Sequence, residues 1–273
     1  MKLAICGAAL ALLAFVIWRT LYWVAQGRKM QVSGYLPPEP TWCAKLALGF
    51  ASRALTFLGV GPVKIIGAEN ARYRGRMIIA PNHTFELDFA MVRRAVGYSF
   101  RFMTHTHQLR GLQGILGAWT GAIPVEPEKK GGGDAAVNAA ANLLNSSPSA
   151  KMLMFPQGKL VRDNIIRAED FRWGIERISF KSMQESADDD IAWLPIAVHY
   201  HRDPAYRHWS HFLFAPLRRA FGITNYGGTV VIGEPILVKD LPKDPGEATA
   251  VIRQRIARLL AVARGEDGAL VVK

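Results

Sequence analysis

Cysteine is nearly absent from this chain, with Cys6 and Cys43 its only thiols. Two cysteines cannot build a disulfide framework, so the fold must rest on its core, and the chain suits a reducing compartment. A Gly-x-Ser-x-Gly nucleophile elbow is missing too, which argues against serine-hydrolase chemistry on an α/β-hydrolase fold. There is no zinc-finger spacing, no RNA-binding-sheet signature, no internal repeat and no long low-complexity tail. Acidic residues are scarce: 22 Asp and Glu stand against 34 Lys and Arg, a formal charge of +12. That excess calls for an anionic partner. With no nucleic-acid module in the sequence, anionic lipid is the better candidate and nucleic acid is not expected. Basic residues near a membrane are drawn to its headgroups by about 1 kcal/mol each.

What is present begins with a long apolar run. Leu3 to Trp18 is unbroken, Arg19 and Thr20 interrupt it, and Leu21 to Ala25 resume it. About 20 apolar residues cross a bilayer, so this run suffices if Arg19 snorkels. A cleaved signal peptide is the competing reading. The run is long for that, and no small-x-small cleavage site precedes a polar mature start. Leu3-Ala4-Ile5-Cys6-Gly7 looks like a lipoprotein box but lies too near the start to follow a signal core. Arg19, Arg28 and Lys29 on the downstream side outweigh Lys2, which predicts a cytoplasmic location for the rest of the chain. Residues 1–28 are therefore expected to form a membrane anchor.

After the linker Leu36-Pro37-Pro38-Glu39-Pro40, residues 41–60 read as an amphipathic interfacial helix over Thr41–Leu58. Lys45, Gly49, Ser52, Arg53 and Thr56 fall on one stripe, and Trp42, Leu46, Phe50 and Phe57 on the remainder. A helix packed on the catalytic domain is the alternative. From Val63 onward apolar strands alternate with helical stretches. The strands are Val63–Ile66, Met77–Ala80, Phe100–Thr104, Ala122–Val125, Met152–Phe155, Ile191–His199 and Thr229–Ile232. The helices are Phe85–Val96, Gln108–Trp119, Ala135–Leu144 and Phe171–Gln184, with an amphipathic Glu247–Ala263 at the end. Such alternation predicts an α/β domain with a mixed, mostly parallel sheet flanked by helices. One large domain over 61–240 accounts for the length, followed by a C-terminal helix and tail over 241–273.

The chemistry concentrates in Asn82-His83-Thr84-Phe85-Glu86-Leu87-Asp88. A His at a strand-to-helix turn and an Asp five positions on, about one turn into the helix, can act together. The imidazole takes a proton from an alcohol while the carboxylate orients its other nitrogen. A second block, Lys151 to Leu160, is an apolar strand broken by Pro156 and Gly158. Histidine pairs at His105/His107, His199/His201 and His208/His211 have metal-ligand spacings. No cysteine or acidic partner completes them beyond Asp203, so no metal is expected.

Taken together, the blocks resemble the glycerophospholipid acyltransferase superfamily, of which the lysophosphatidic acid acyltransferases are one branch. His83 and Asp88 match its His-x4-Asp motif. Phe155, Pro156, Gln157 and Gly158 match part of its Phe-Pro-Glu-Gly-Thr-Arg block. Gly121 to Glu126 and the strand around Pro195 stand where the family has its other two blocks. The resemblance implies a glycerol-phosphate-acyltransferase-like fold with no cofactor. It implies His83 as general base with Asp88 as its partner. It implies acyl-CoA or acyl carrier protein as donor and a lipid or amphiphile hydroxyl as acceptor. It implies substrate contacts from Phe155, Pro156, Gln157, Gly158 and Pro195, to which the nearby cations Lys159 and Arg162 are added as candidates. The chain departs from the family where arginines hold the acceptor's phosphate: Pro127 and Leu160 stand there, and Gln157 and Lys159 replace Glu and Thr. Pro and Leu cannot supply the two-pronged donors of a guanidinium. Lys159 and Arg162 are the nearest substitutes, and a sugar-headed or other non-phosphate acceptor is the competing expectation.

Overall fold

The computed structural model describes residues 2–186, 190–201 and 227–266. The aromatic- and arginine-rich stretch 202–221, with His208 and His211, lies outside them. Contacts divide the chain into two units, Met1–Ala44 with Met103–Ala139, and Lys45–Phe102 with Ala140–Lys273.

In the first unit, α1 (Lys2–Lys29) packs its last turns on α4 (Leu112–Thr120). The crossing is close because glycine lines both sides: a Cβ on Gly27 would lie 2.7 Å from Ile115 Cγ1, and one on Gly114 would lie 2.8 Å from the Gly27 carbonyl. Upstream, Leu10 to Ile17 leave their large apolar side chains exposed. Phe15, Trp18, Tyr22 and Trp23 form a chain of ring contacts, and the Arg19 guanidinium sits 5.3–5.7 Å from three of those rings. Among the described residues, one helix, Leu10–Lys29, is long and apolar enough to cross a membrane. Strand β4 (Ala122–Val125) lies beside β3 (Arg101–His105).

The second unit holds the sheet that carries the site. β2 (Arg76–Pro81) pairs in parallel with β5 (Lys151–Leu153) on one side and β6 (Ile191–Tyr200) on the other, and β3 joins β5 in parallel. The far edge of β6 takes β7 (Gly228–Ile232) and the short β8 (Ile236–Leu237), both antiparallel, and β1 (Val63–Ile66) runs parallel to β7. The sheet is thus mixed and mostly parallel, as its sequence predicts. β2 is buried along its whole length and β6 from Ile191 to Val198, because helices cover both faces. Leu194, Ile196 and Val198 face α3 (Asp88–Val96), while Ala197 and Val231 meet Leu259 and Leu260 of α7 (Pro245–Arg264). A further helix, α6 (Gly174–Glu185), is pinned where Trp193 Nε1 donates to Ser179 Oγ at 2.7 Å.

Three sequence expectations shift in detail. Helix α3 begins at Asp88, not Phe85, so the carboxylate is the first helical residue instead of lying one turn in. The reason is the carboxylate itself: it accepts from the Thr84 and Phe85 amides and folds 84–87 into a turn. β5 stops at Leu153 because Phe155 and Pro156 leave the ladder. Helix α2 (Trp42–Leu55) continues into a π-helical turn over Thr56–Val60. Its small polar residues point inward, with Ser52 and Thr56 buried and bonded to backbone carbonyls, while Leu46, Phe50 and Phe57 are exposed.

Candidate active site

Parallel strands end together on one edge of the sheet, and that edge is where α/β folds place their ligands. β2, β5 and β6 deliver His83, Phe155 and Tyr200 to it. Asn82 fixes the start of the turn. Its side chain accepts from Val198 N at 2.7 Å and donates to Val198 O at 3.0 Å, a two-way clamp onto β6. The His83 backbone is held on both sides: its amide donates to Gln157 Oε1 at 2.6 Å, and its carbonyl accepts from Val161 N at 2.7 Å. Gln157 is buried, so the residue at the family's Glu position supports the histidine's main chain.

The imidazole is oriented from two directions. Its Nδ1 lies 3.1 Å from Asp88 Oδ2, and the Phe155 ring stacks on it with centroids 3.7 Å apart and planes 16° from parallel. As a carboxylate Asp88 can only accept, so this contact puts the ring proton on Nδ1 and the lone pair on Nε2. No protein group among the described residues bonds Nε2. The His83 side chain keeps 21% of its surface, whereas Asp88 keeps none. Buried charge is tolerable only with compensating donors. Asp88 receives them from the Thr84 and Phe85 amides at 2.6 and 2.9 Å, from His83, and from the Tyr200 hydroxyl at 2.7 Å on Oδ1. Burial first, and the Asp88 charge and hydrogen bond next, hold the Tyr200 phenol well above its ordinary pKa, so it remains a donor. Tyr200 and Asn82 are the residues that the sequence reading missed. Asn82 stood in the His83 block without a role, and only the apolar strand running up to His199 hinted at Tyr200.

The loop after β5 supplies the walls. Gly158 adopts φ +63°, a conformation that favours glycine, and its amide donates to Phe155 O at 3.0 Å, closing the Phe155–Gly158 turn. Pro156 is buried, its carbonyl accepting from Arg172 N at 2.9 Å. A cleft of about 850 Å³ opens beside Thr84 and Tyr200, with Lys159, Arg162, Arg167 and Arg264 among its walls. Each of these cations faces a carboxylate: Lys159 meets Asp170 at 2.7 Å, Arg162 meets Glu86 at 3.4 Å, Arg167 meets Asp163, and Arg264 meets Glu266 at 3.7 Å. Pro195 lies in the buried middle of β6, in register with Ala80, and is not among the described cleft-lining residues.

Comparison with known proteins bears on this arrangement. A sequence model of the acyltransferase family matches residues 62–199, half of the chain, which includes β1 to β5, β6 up to His199 and the whole of the His83 turn. Among solved structures, the crystal structure of the 1-acyl-sn-glycerophosphate (LPA) acyltransferase PlsC from Thermotoga maritima superposes with a TM-score of 0.53. The match covers 82% of this chain and 80% of that one at 16% identity, which establishes likeness of fold. No curated protein sequence matches the chain. The match over residues 62–199 places this chain in the acyltransferase family.

Proposed function

We propose that this protein is a membrane-associated O-acyltransferase. It moves an acyl chain from a thioester, on coenzyme A or acyl carrier protein, to a hydroxyl of a lysophospholipid, glycolipid or similar amphiphile. The observation that carries this reading is the His83–Asp88 pair: a part-exposed imidazole, its Nδ1 tied to a fully buried carboxylate and its Nε2 without a protein partner among the described residues. In the proposed step Nε2 takes the acceptor's hydroxyl proton as the oxygen attacks the thioester carbonyl. The carbon–sulfur bond then breaks, and the imidazolium returns the proton to the leaving thiolate. Asp88 stabilises the imidazolium and keeps the ring in the productive tautomer.

Membrane attachment is supported by α1, whose exposed apolar side chains end in aromatic rings gathered around Arg19, an arrangement suited to a headgroup boundary. The outward apolar stripe of α2 supports a second, interfacial contact. By the excess of basic residues downstream of the apolar run, the catalytic part faces the cytoplasm.

For the acceptor we favour a head without phosphate. The arginine positions that the family uses hold Pro127 and Leu160, and Lys159 and Arg162 already face Asp170 and Glu86. An assay of the purified protein in detergent, against a panel of lysolipids and glycolipids with both donor carriers, tests the proposal. Transfer to at least one hydroxyl amphiphile is expected. No transfer to any, from a folded protein that binds the same lipids, favours a non-catalytic lipid-binding role.

A further inference from the structure

Where helix α2 lies over α3, Arg53 of the one and Arg93 and Arg94 of the other form a cluster of arginines that the proposed acyl-transfer site does not use. Leu46, Phe50 and Phe57 follow one another at helical spacing, and Arg53, on the edge of the polar stripe and exposed where Ser52 and Thr56 are buried, borders that outward apolar stripe. Leu46, Phe50 and Phe57 are 53%, 69% and 58% exposed. Beside them Gly49 leaves a gap. A Cβ there would lie 3.6 Å from Arg93 Nη2 and 3.8 Å from Arg53 Nη1, so two guanidinium ends reach the same point above one glycine. Arg93 is only 7% exposed, on α3 beneath α2. Its Nη2 donates to Ser99 Oγ at 3.0 Å and reaches Lys45 O at 3.5 Å, while its buried Nε has no partner. Arg94, next along α3, donates to Thr56 Oγ1 at 3.2 Å.

Among the described residues no carboxylate pairs with Arg53, Arg93 or Arg94. This contrasts with the cleft, where each Lys or Arg faces one. Two like charges brought together, one of them buried, are costly without a counter-anion. The strain registers on Arg93, whose pKa is lowered by burial and then by the Arg53 charge. A phosphodiester answers that need, because its paired oxygens match guanidinium donors better than a single point charge does. The exposed Leu46, Phe50 and Phe57 determine its source: an anion flanked by apolar side chains is best supplied by a lipid whose acyl chains cover them.

We propose that Arg53 and Arg93, converging over Gly49, form a binding site for the headgroup phosphate of an anionic phospholipid, with Phe50 and Phe57 resting among its acyl chains. The site is separate from the His83 pair and holds the enzyme on anionic membrane. It rests on the membrane attachment argued above.

The test uses the full chain in non-ionic detergent micelles doped with phosphatidylglycerol or with phosphatidylcholine, reading retained lipid by native mass spectrometry. Wild type should hold phosphatidylglycerol about tenfold more tightly than phosphatidylcholine, with the preference weakening as salt rises. Inorganic phosphate at equal concentration should not displace it. Arg53→Gln should lose the preference and Arg53→Lys should keep part of it. Arg53→Glu gives Arg93 an internal carboxylate, so it should abolish binding while raising the melting temperature. Acyl transfer to a detergent-dispersed acceptor should stay at the wild-type level in all three. Equal binding of the two lipids by wild type, unchanged binding by Arg53→Gln and Arg53→Glu, or displacement by inorganic phosphate would each overturn the site. Flotation with lipid vesicles separates the two claims. Wild type that floats without an anionic preference loses this site but keeps its membrane attachment, and wild type that floats with no vesicle loses both.

Discussion

Asp88 accepts from the Thr84 and Phe85 amides and the Thr84 and Tyr200 hydroxyls, which hold it, and from His83, which it orients. Asp88→Asn replaces one acceptor oxygen with a donor nitrogen, so it can present the wrong partner to Nδ1 and hold the opposite tautomer. A loss of kcat as large as about 10⁴-fold is expected, with the protein still folded. Tyr200 acts through Asp88. Tyr200→Phe removes a donor from Oδ1 and leaves more of the carboxylate's charge facing the imidazole. The imidazolium is then stabilised, so the acid limb of kcat/KM should move to higher pH, with kcat down about tenfold and KM little changed. An unmoved acid limb would reduce Tyr200 to packing. Glu176 makes a separate, structural prediction. It is fully buried, one oxygen bonded to Thr249 and the other unpartnered, and burial pushes its pKa up to about 7. The folded state therefore keeps a proton that the unfolded chain releases near its ordinary value. Below that ordinary value both states hold the proton and the site has no effect. Stability falls as pH rises towards about 7, by up to about 3 kcal/mol. Glu176→Gln should flatten that slope and raise the melting temperature at pH 8 more than at pH 5. His83 and Asp88 were legible because their contact is local. Tyr200 meets Asp88 across 112 positions, and no spacing rule predicts such a meeting.

Elements announced themselves where apolar residues ran together, as in β2 and β6, whose two covered faces leave no polar alternation. Boundaries were less legible. They depend on side chains that cap or interrupt the backbone, such as the Asp88 carboxylate that sets the start of α3. Helix α2 showed an amphipathic pattern but not which face was the inner one. Ser52 and Thr56 can be buried because each hydroxyl bonds a carbonyl of its own helix, which frees the larger apolar residues to face outward. This element has its own prediction. A chain lacking residues 1–20 keeps the last turns of α1 on α4, and it should still bind anionic vesicles at low salt and release them as salt rises. Adding Leu46→Glu and Phe50→Glu should abolish that residual binding. A truncated chain that is fully soluble at low salt would refute an interfacial role for α2.

At the scale of the whole molecule, one chain carries both an α/β sheet with the His83–Asp88 pair at its carboxyl edge and a long apolar helix. The family's order of blocks made that architecture readable, while the pairing of Lys159 with Asp170 and of Arg162 with Glu86, on which the proposed choice of acceptor rests, was not. Arg162 and Glu86 are both exposed, so that pair is weak and could be exchanged for a substrate phosphate, whereas the Asp170 carboxylate that Lys159 meets is buried. With a non-phosphate acceptor, Lys159→Ala and Arg162→Ala should change kcat/KM only mildly and lysophosphatidic acid should be a poor substrate. Acylation of lysophosphatidic acid as fast as the best acceptor, with a strong loss on either substitution, would reverse that preference. The central claim, that this fold transfers acyl groups through His83, has one most direct test: turnover of His83→Ala beside wild type, in detergent, on the best acceptor of the panel. A loss of at least 10²–10⁴-fold is predicted, with an unchanged melting profile. Near-normal turnover by His83→Ala would contradict the mechanism outright.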